Sequence, residues 1–164
     1  MKRHANTGII MITLIAVVAV GCATGSRTEK IGSGDVVADR QRLMKLNGAS
    51  WADAQAKMKA GNVEAIAVNA ETMALNSEHI PMLFPEGSLT EKSKAKPEIW
   101  QKRDEFDSAA KNMGQWSVKL RDTARTKDAA ATEAVMKDFG RQACGTCHTP
   151  FRVPPPQQPA PPRS

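Results

Sequence analysis

The apolar positions of this chain recur at helical spacing, three and four residues apart, in four separate segments. In the first segment they form one stripe, comprising Val37, Arg40, Met44, Asn47, Trp51, Ala54 and Met58. This spacing predicts an amphipathic helix with a coiled-coil-like seam, although Arg40 and Asn47 are polar. Asp35 is a favourable N-cap residue and Gly61 a favourable C-cap residue, so the helix is predicted to run between them.

Three further stripes have the same spacing. The second stops at Pro81 and contains Val63, Ile66, Ala70, Met73, Ser77 and Ile80. The third begins near Pro97 and contains Ile99, Arg103, Phe106, Ala110, Met113, Ser117, Leu120 and Ala124. The fourth begins near Asp128 and contains Thr132, Val135, Met136, Phe139, Ala143 and Cys147. Four amphipathic helices, with no competing strand pattern after the N-terminal segment, predict an all-α, antiparallel four-helix bundle over residues 35–152.

Two segments outside the stripes differ in character. The connection from His79 to Lys96 contains apolar Leu83-Phe84, so we expect it to pack over one end of the bundle. Residues 153–164 hold six prolines between Pro154 and Pro162. They are predicted to be a disordered tail, because proline supports neither helix nor sheet, and a proline-rich docking motif is the alternative.

The N-terminal segment has the features of an export signal. Lys2 and Arg3 precede an uncharged apolar stretch from Ile9 to Val20, and Gly21-Cys22 follows. Residues 1–21 are therefore predicted to be a cleaved signal peptide. The cut site resembles the lipobox of bacterial lipoproteins, which makes Cys22 a lipid-bearing N-terminus and residues 22–34 a flexible tether to a bacterial membrane facing the periplasm. An ordinary secretory signal and a single transmembrane anchor are the alternatives.

The charge of the chain does not indicate nucleic-acid binding. The sequence has 23 basic and 17 acidic residues, a net charge of +6. The basic residues are scattered among acidic ones, without the clustered basic patch and interleaved aromatic residues of nucleic-acid-binding surfaces.

The sequence Cys144-Gly145-Thr146-Cys147-His148 is the attachment signature of c-type haem. On a helix, positions i, i+3 and i+4 share a face, so both thiols and the imidazole point to one side. Two thioether bonds are expected to hold one covalent haem c against the last helix, with His148 as an iron ligand. A zinc site, a redox dithiol and a structural disulfide are weaker interpretations, since further ligands, a βαβ context and a sizeable closed loop are all lacking.

Several separated motifs, in the right order, resemble the class II cytochromes c, the cytochrome c prime and cytochrome c-556 group. They are Arg40-Gln41-Arg42-Leu43-Met44-Lys45, Leu83-Phe84-Pro85-Glu86-Gly87-Ser88, Lys96-Pro97-Glu98-Ile99-Trp100, and Cys144 to His148 followed by Phe151-Arg152. The resemblance covers nearly the whole mature domain.

This resemblance implies a haem inside the bundle with the first helix over its distal side. Met44 then faces the iron opposite His148, and Arg40 pairs with a haem propionate. The alternatives are a methionine that only packs in the core and an exposed arginine at a loose seam position. Arg152 resembles the basic residue beside the proximal histidine, but Pro150 is expected to end the final turn early and to displace it.

The predicted function depends on Met44. If Met44 binds the iron, the resemblance implies an electron carrier with periplasmic or membrane redox partners. If it does not, the five-coordinate iron binds nitric oxide or carbon monoxide. Gly48 and Ala49, which are small enough for close helix approach, favour the first case. An enzymatic role is not expected, because the first helix has no acid-base histidine. Homodimers occur in part of the family.

Overall fold

The computed structural model describes residues 34–155, so the predicted signal peptide, nearly all of the tether and most of the tail lie outside the described residues. The helices are α1 (Val36–Lys59), α2 (Ile66–His79), α3 (Glu98–Gln101), α4 (Arg103–Arg125), α5 (Ala129–Phe139) and α6 (Thr146–Phe151). Between residues 34 and 155 extended backbone pairs only in an isolated bridge between Ala95 and Arg152. In this same part of the chain, no helix combines the length and apolar character that a membrane span requires.

The first helix begins and ends where the sequence predicts. The Asp35 side chain accepts hydrogen bonds from the backbone N–H groups of Val37 and Ala38. At the other end Gly61 has a φ of 72°, and its N–H and that of Asn62 donate to the last turn at 3.0 and 2.9 Å. This is the paired geometry of a Schellman cap, which glycine permits at no steric cost.

The centre of the bundle is the contact between α2 and α4. The facing positions are mostly small, including Ala70 and Ala110, which are nearly inaccessible to solvent. Gly114 allows the closest approach, because a Cβ atom there would lie 2.6 Å from the Ser77 Oγ. The Ser77 and Ser117 hydroxyls donate to carbonyls of their own helices, which explains how two buried polar groups are tolerated in the predicted stripes.

The third predicted helix is interrupted. It begins after Pro97 as expected, but Lys102 has φ −127° and ψ 52°, which separates α3 from α4. The break follows from tertiary contacts, since Ile99 is buried in the core while the neighbouring Trp100 donates to the carbonyl of Pro85 at 3.0 Å. A single continuous helix was therefore the wrong prediction here.

The fourth predicted helix also departs from regular geometry. It begins at its Asp128 N-cap, which accepts from the Ala131 N–H at 2.9 Å, but widens into a π-helical turn, Gly140–Gly145, before α6. The Gln142 carbonyl accepts a hydrogen bond from the Asn112 Nδ2 on α4 at 2.6 Å. We call this turn together with α6 the C-terminal segment.

The connection between α2 and α3 packs over one end of the bundle, as predicted. It starts with a 3₁₀ turn, Pro81–Leu83, and Phe84 is buried against Phe106 at a ring distance of 4.8 Å. Arg103 on α4 donates to the carbonyls of Phe84 and Pro81, each at 2.9 Å. Arg103, the polar second position of the α3–α4 stripe, thus attaches the connection to the bundle.

The close approach of α2 and α4 can be tested by adding a methyl group. Gly114→Ala is expected to lower the free energy of unfolding by about 1 to 3 kcal/mol, because the new Cβ overlaps the Ser77 hydroxyl. Denaturant titration measures the loss. Ser77→Ala in the same chain removes the hydroxyl, so the double variant should recover most of it. A loss that is undiminished in the double variant would contradict this packing.

Candidate functional site

The predicted site residues converge on one apolar cleft between α1, α4 and the C-terminal segment. The cleft consists of two adjoining cavities of about 240 and 120 Å³. Met44, Ile80, Cys147 and His148 line both of them. The walls are otherwise mainly apolar, including Phe84, Ile99, Phe106 and Phe151 in the larger cavity and Trp51, Met73, Ala110 and Met113 in the smaller one. The cleft can therefore enclose a large, flat apolar group.

The cysteine pair and the histidine lie at one wall of this cleft. Cys144 is in the π-helical turn, whereas Cys147 and His148 are in α6. Both cysteines are half-buried free thiols that line the smaller cavity. The residues share a side as predicted, but the backbone between them is not one regular α-helix. Within residues 34–155 no three His, Cys, Asp or Glu side chains are grouped to hold a metal ion by themselves.

The surroundings shift the pKa values of these groups. Burial, reinforced by the adjacent Cys144 thiol, raises the pKa of Cys147 to about 11. Burial also raises the pKa of Cys144. His148 is exposed as a whole residue, yet desolvation of its ring, followed by the positive charge of Arg152, lowers its pKa. At neutral pH the cleft therefore presents two protonated thiols and a neutral imidazole, the form that binds metals.

Met44 is the α1 residue that lines both cavities of the cleft. It is half-buried and contacts both cavities, on the helix across the cleft from His148. Gly48, one turn later, does not have the expected part in close helix packing, since a Cβ atom there would find nothing within 4 Å. α1 packs mainly on α2 and leaves the cleft between itself and the C-terminal segment.

Arg40 is buried at the mouth of the cleft, with 5% of its surface exposed. Its guanidinium donates to the Leu83 carbonyl, to the carbonyl and hydroxyl of Ser88, and at 3.4 Å to the Ser93 hydroxyl. It also lies 4.2 Å from the centre of the Phe84 ring. The interpretation of Arg40 as an exposed arginine is therefore wrong. Burial lowers the pKa of Arg40, and Asp35 partly offsets this effect.

The last turn does not end early at Pro150. α6 continues to Phe151 with Pro150 inside it, which contradicts the predicted break. Proline removes only its own backbone donor. Beyond it, the Arg152 N–H still bonds to the His148 carbonyl at 3.1 Å. Arg152 is then extended, and its neighbours bond to residues 94 and 96 of the connection. It lies beside His148 and lines the larger cavity, as the resemblance implies.

Two supporting contacts were not predicted. The Trp51 and Phe139 rings stack at 4.7 Å and join α1 to α5 at the inner end of the cleft. Asn112 holds the π-helical turn through the Gln142 carbonyl. Trp51 and Phe139 lie in apolar stripes, where helical spacing alone indicates ordinary packing, and Asn112 lies outside the stripes. The sequence therefore carries no distinct signal for either contact.

The chain resembles known proteins over most of its described length. The sequence profile of the family described as Cytochrome C' matches residues 35–152. The chain is 40% identical to cytochrome c-554 of Cereibacter sphaeroides over 48% of its own length, and it spans only about half, 52%, of that relative. It is 32% identical to cytochrome c-556 of Agrobacterium tumefaciens, over 71% of this chain and 96% of the relative.

A solved structure shows the same fold. The crystal structure of cytochrome c' from Rubrivivax gelatinosus superposes with a TM-score of 0.63 at 24% sequence identity, and the match covers 73% of this chain and 95% of that one. The family match spans well over half of the chain and includes every predicted site residue. This chain therefore belongs to the cytochrome c' family, whose members carry a covalent c-type haem.

Proposed function

We propose that this chain is a periplasmic electron carrier in which Cys144 and Cys147 bind haem c and His148 and Met44 are the iron ligands. The observation that carries the proposal is that His148 and Met44, on elements across the cleft from each other, line both of its cavities. Family members are bacterial periplasmic proteins, which agrees with the export signal. Bound haem supplies a reversible one-electron change at its iron.

The residues present fit such a group. The two thiols are free and lie at the cleft wall, so both are available for thioether bonds. The mainly apolar walls exclude water and accept a flat macrocycle. The lowered pKa of His148 keeps its imidazole neutral and able to ligate at neutral pH.

The polar residues at the mouth fit the carboxylates of a haem. Arg40 lines the larger cavity and places a positive charge there. Its guanidinium donates to neutral acceptors, which are serine hydroxyls and backbone carbonyls. A propionate carboxylate is a stronger acceptor for a guanidinium than these neutral groups, which supports pairing with Arg40. Arg152 adds a second positive charge beside the cleft.

A methionine ligand suits electron transfer. Histidine and methionine together raise the reduction potential of haem iron and leave no open position for an external ligand. Met44 has the required thioether sulfur and lines both cavities of the cleft. The alternative, binding of nitric oxide or carbon monoxide at an open position, is the opposite outcome of the same spectroscopic test.

Covalent attachment can be tested by mass. The exported protein, made with a haem-ligation system, is expected to weigh one haem more than the same protein with serine at both haem-attachment positions, and to keep its colour after denaturation. Replacing both Cys144 and Cys147 by serine should abolish the added mass, whereas each single replacement leaves one thioether bond. Cys22→Ser is the matched control and should keep the haem. A wild-type product with the same haem-free mass as the double-serine variant would refute attachment.

Ligation by Met44 can be tested by the ferric optical spectrum. The wild type is expected to be low-spin with a weak near-infrared charge-transfer band from sulfur to iron. Met44→Ala should lose this band, become high-spin and have a lower reduction potential. Met58→Ala, a half-buried methionine of the same helix that contacts neither cavity, is the control and should leave the spectrum unchanged. A high-spin wild type that rapidly binds carbon monoxide when reduced would favour the gas-binding alternative.

A further inference from the structure

Asn47 is a buried polar residue on the face of α1 that also carries Met44. It comes three residues after Met44, and 8% of its surface is exposed. Its Oδ1 accepts a hydrogen bond from the Asn76 Nδ2 on α2 at 2.8 Å. Its own Nδ2 is buried and has no hydrogen-bond partner among residues 34–155.

An unpaired buried donor is unusual. Leaving a buried N–H group without an acceptor costs the free energy of its desolvation, so folded proteins pair nearly all such groups. Polar residues in the predicted stripes with a structural role follow this rule, since Ser77 and Ser117 donate within their own helices. Asn47 differs because only one end of its amide is used.

The unused end belongs to the cleft. Asn47 lines the smaller cavity together with Met44, Cys144, Cys147 and His148. Asn76 holds the oxygen on the α2 side, which fixes the orientation of the amide and leaves its NH₂ end for the cavity. A donor on α1 is thus placed on the side of the cleft across from His148.

We propose that Asn47 presents its NH₂ end to the distal side of the haem iron, where it donates to whatever ligand is bound there, and thereby raises the reduction potential of the haem. The NH₂ end of an amide is the positive end of its dipole, and ferric iron carries one positive charge more than ferrous iron. A fixed positive end therefore disfavours the oxidised form, and the low dielectric of an apolar cleft strengthens the effect. A hydrogen bond to a ligand sulfur withdraws electron density in the same sense. The inference rests on the proposed haem site but not on ligation by Met44.

The test is a redox titration of the haem-bearing protein. Asn47→Leu keeps a similar volume and removes the dipole, so its potential is expected to shift to more negative values than the wild type. Asn69→Leu is the matched control. Asn69 also has 8% of its surface exposed, but it lies outside the cleft and bonds to Lys57 and Asp53. Its replacement should therefore leave the reduction potential unchanged.

A second variant tests the orientation of the amide without changing the cleft wall. Asn76→Ala releases the Asn47 oxygen and lets the amide turn, so it should shift the potential in the same direction but less. Combined with Asn47→Leu, it should add nothing further. The carbon monoxide stretch, measured in the reduced Met44→Ala background where the position opposite His148 is open, gives an independent reading. Loss of a nearby positive dipole weakens back-donation, so Asn47→Leu in that background should move the band to higher wavenumber.

The outcomes separate this inference from the proposed function. A potential unchanged by Asn47→Leu, or changed equally by Asn69→Leu, would overturn the role of Asn47 even if haem and Met44 behave as proposed. Conversely, if the Met44→Ala spectra exclude methionine ligation, the potential and the stretching frequency still report on Asn47. An additive further shift in the double variant would show that Asn76 does not act through Asn47.

Discussion

The structure depends on an apolar cleft bordered by α1 and the C-terminal segment. Space given to a large flat group is not available for contacts between the helices themselves, so the remaining helices must pack closely. Here that packing is between α2 and α4, where Gly114 and small facing residues bring the two helices together. α1 packs mainly on α2, while the stacked Trp51 and Phe139 rings join it to α5.

The mouth of the cleft is held by two arginines that appear in the sequence as polar interruptions of apolar stripes. Arg40 on α1 and Arg103 on α4 both donate to carbonyls of the connection, and Phe84 lies between them in contact with the core. A guanidinium suits this task because its planar fork satisfies several acceptors at once and stays charged despite burial. The same contacts that order the connection therefore place positive charge at the cleft, which couples the fold to the chemistry of the site.

Local features of the fold could be predicted from the sequence, and features that need distant partners could not. The Asp35 and Asp128 caps, the Gly61 turn and the buried stripes follow from side chains within a few residues of each other. The break at Lys102 and the π-helical turn depend instead on the connection and on Asn112, many residues away. Likewise, the C-x-x-C-H motif identified the chemistry of the site, whereas the partners of Arg40 and the continuation of α6 through Pro150 required the assembled bundle.

The polar residues in the helical stripes differ in where their hydrogen-bond partners lie. The hydroxyls of Ser77 and Ser117 donate to carbonyls of their own helices, so these small polar residues can serve packing in the core. Arg40 bonds across to the connection, which orders the mouth of the cleft. Asn47 uses its oxygen within the bundle but has no acceptor for its nitrogen among the described residues, so it has a donor left for the cleft that Met44 and His148 share. Because the helical stripes are otherwise apolar, the hydrogen-bond partner of each polar residue, rather than its polarity, distinguishes positions that serve packing from those that line the cleft.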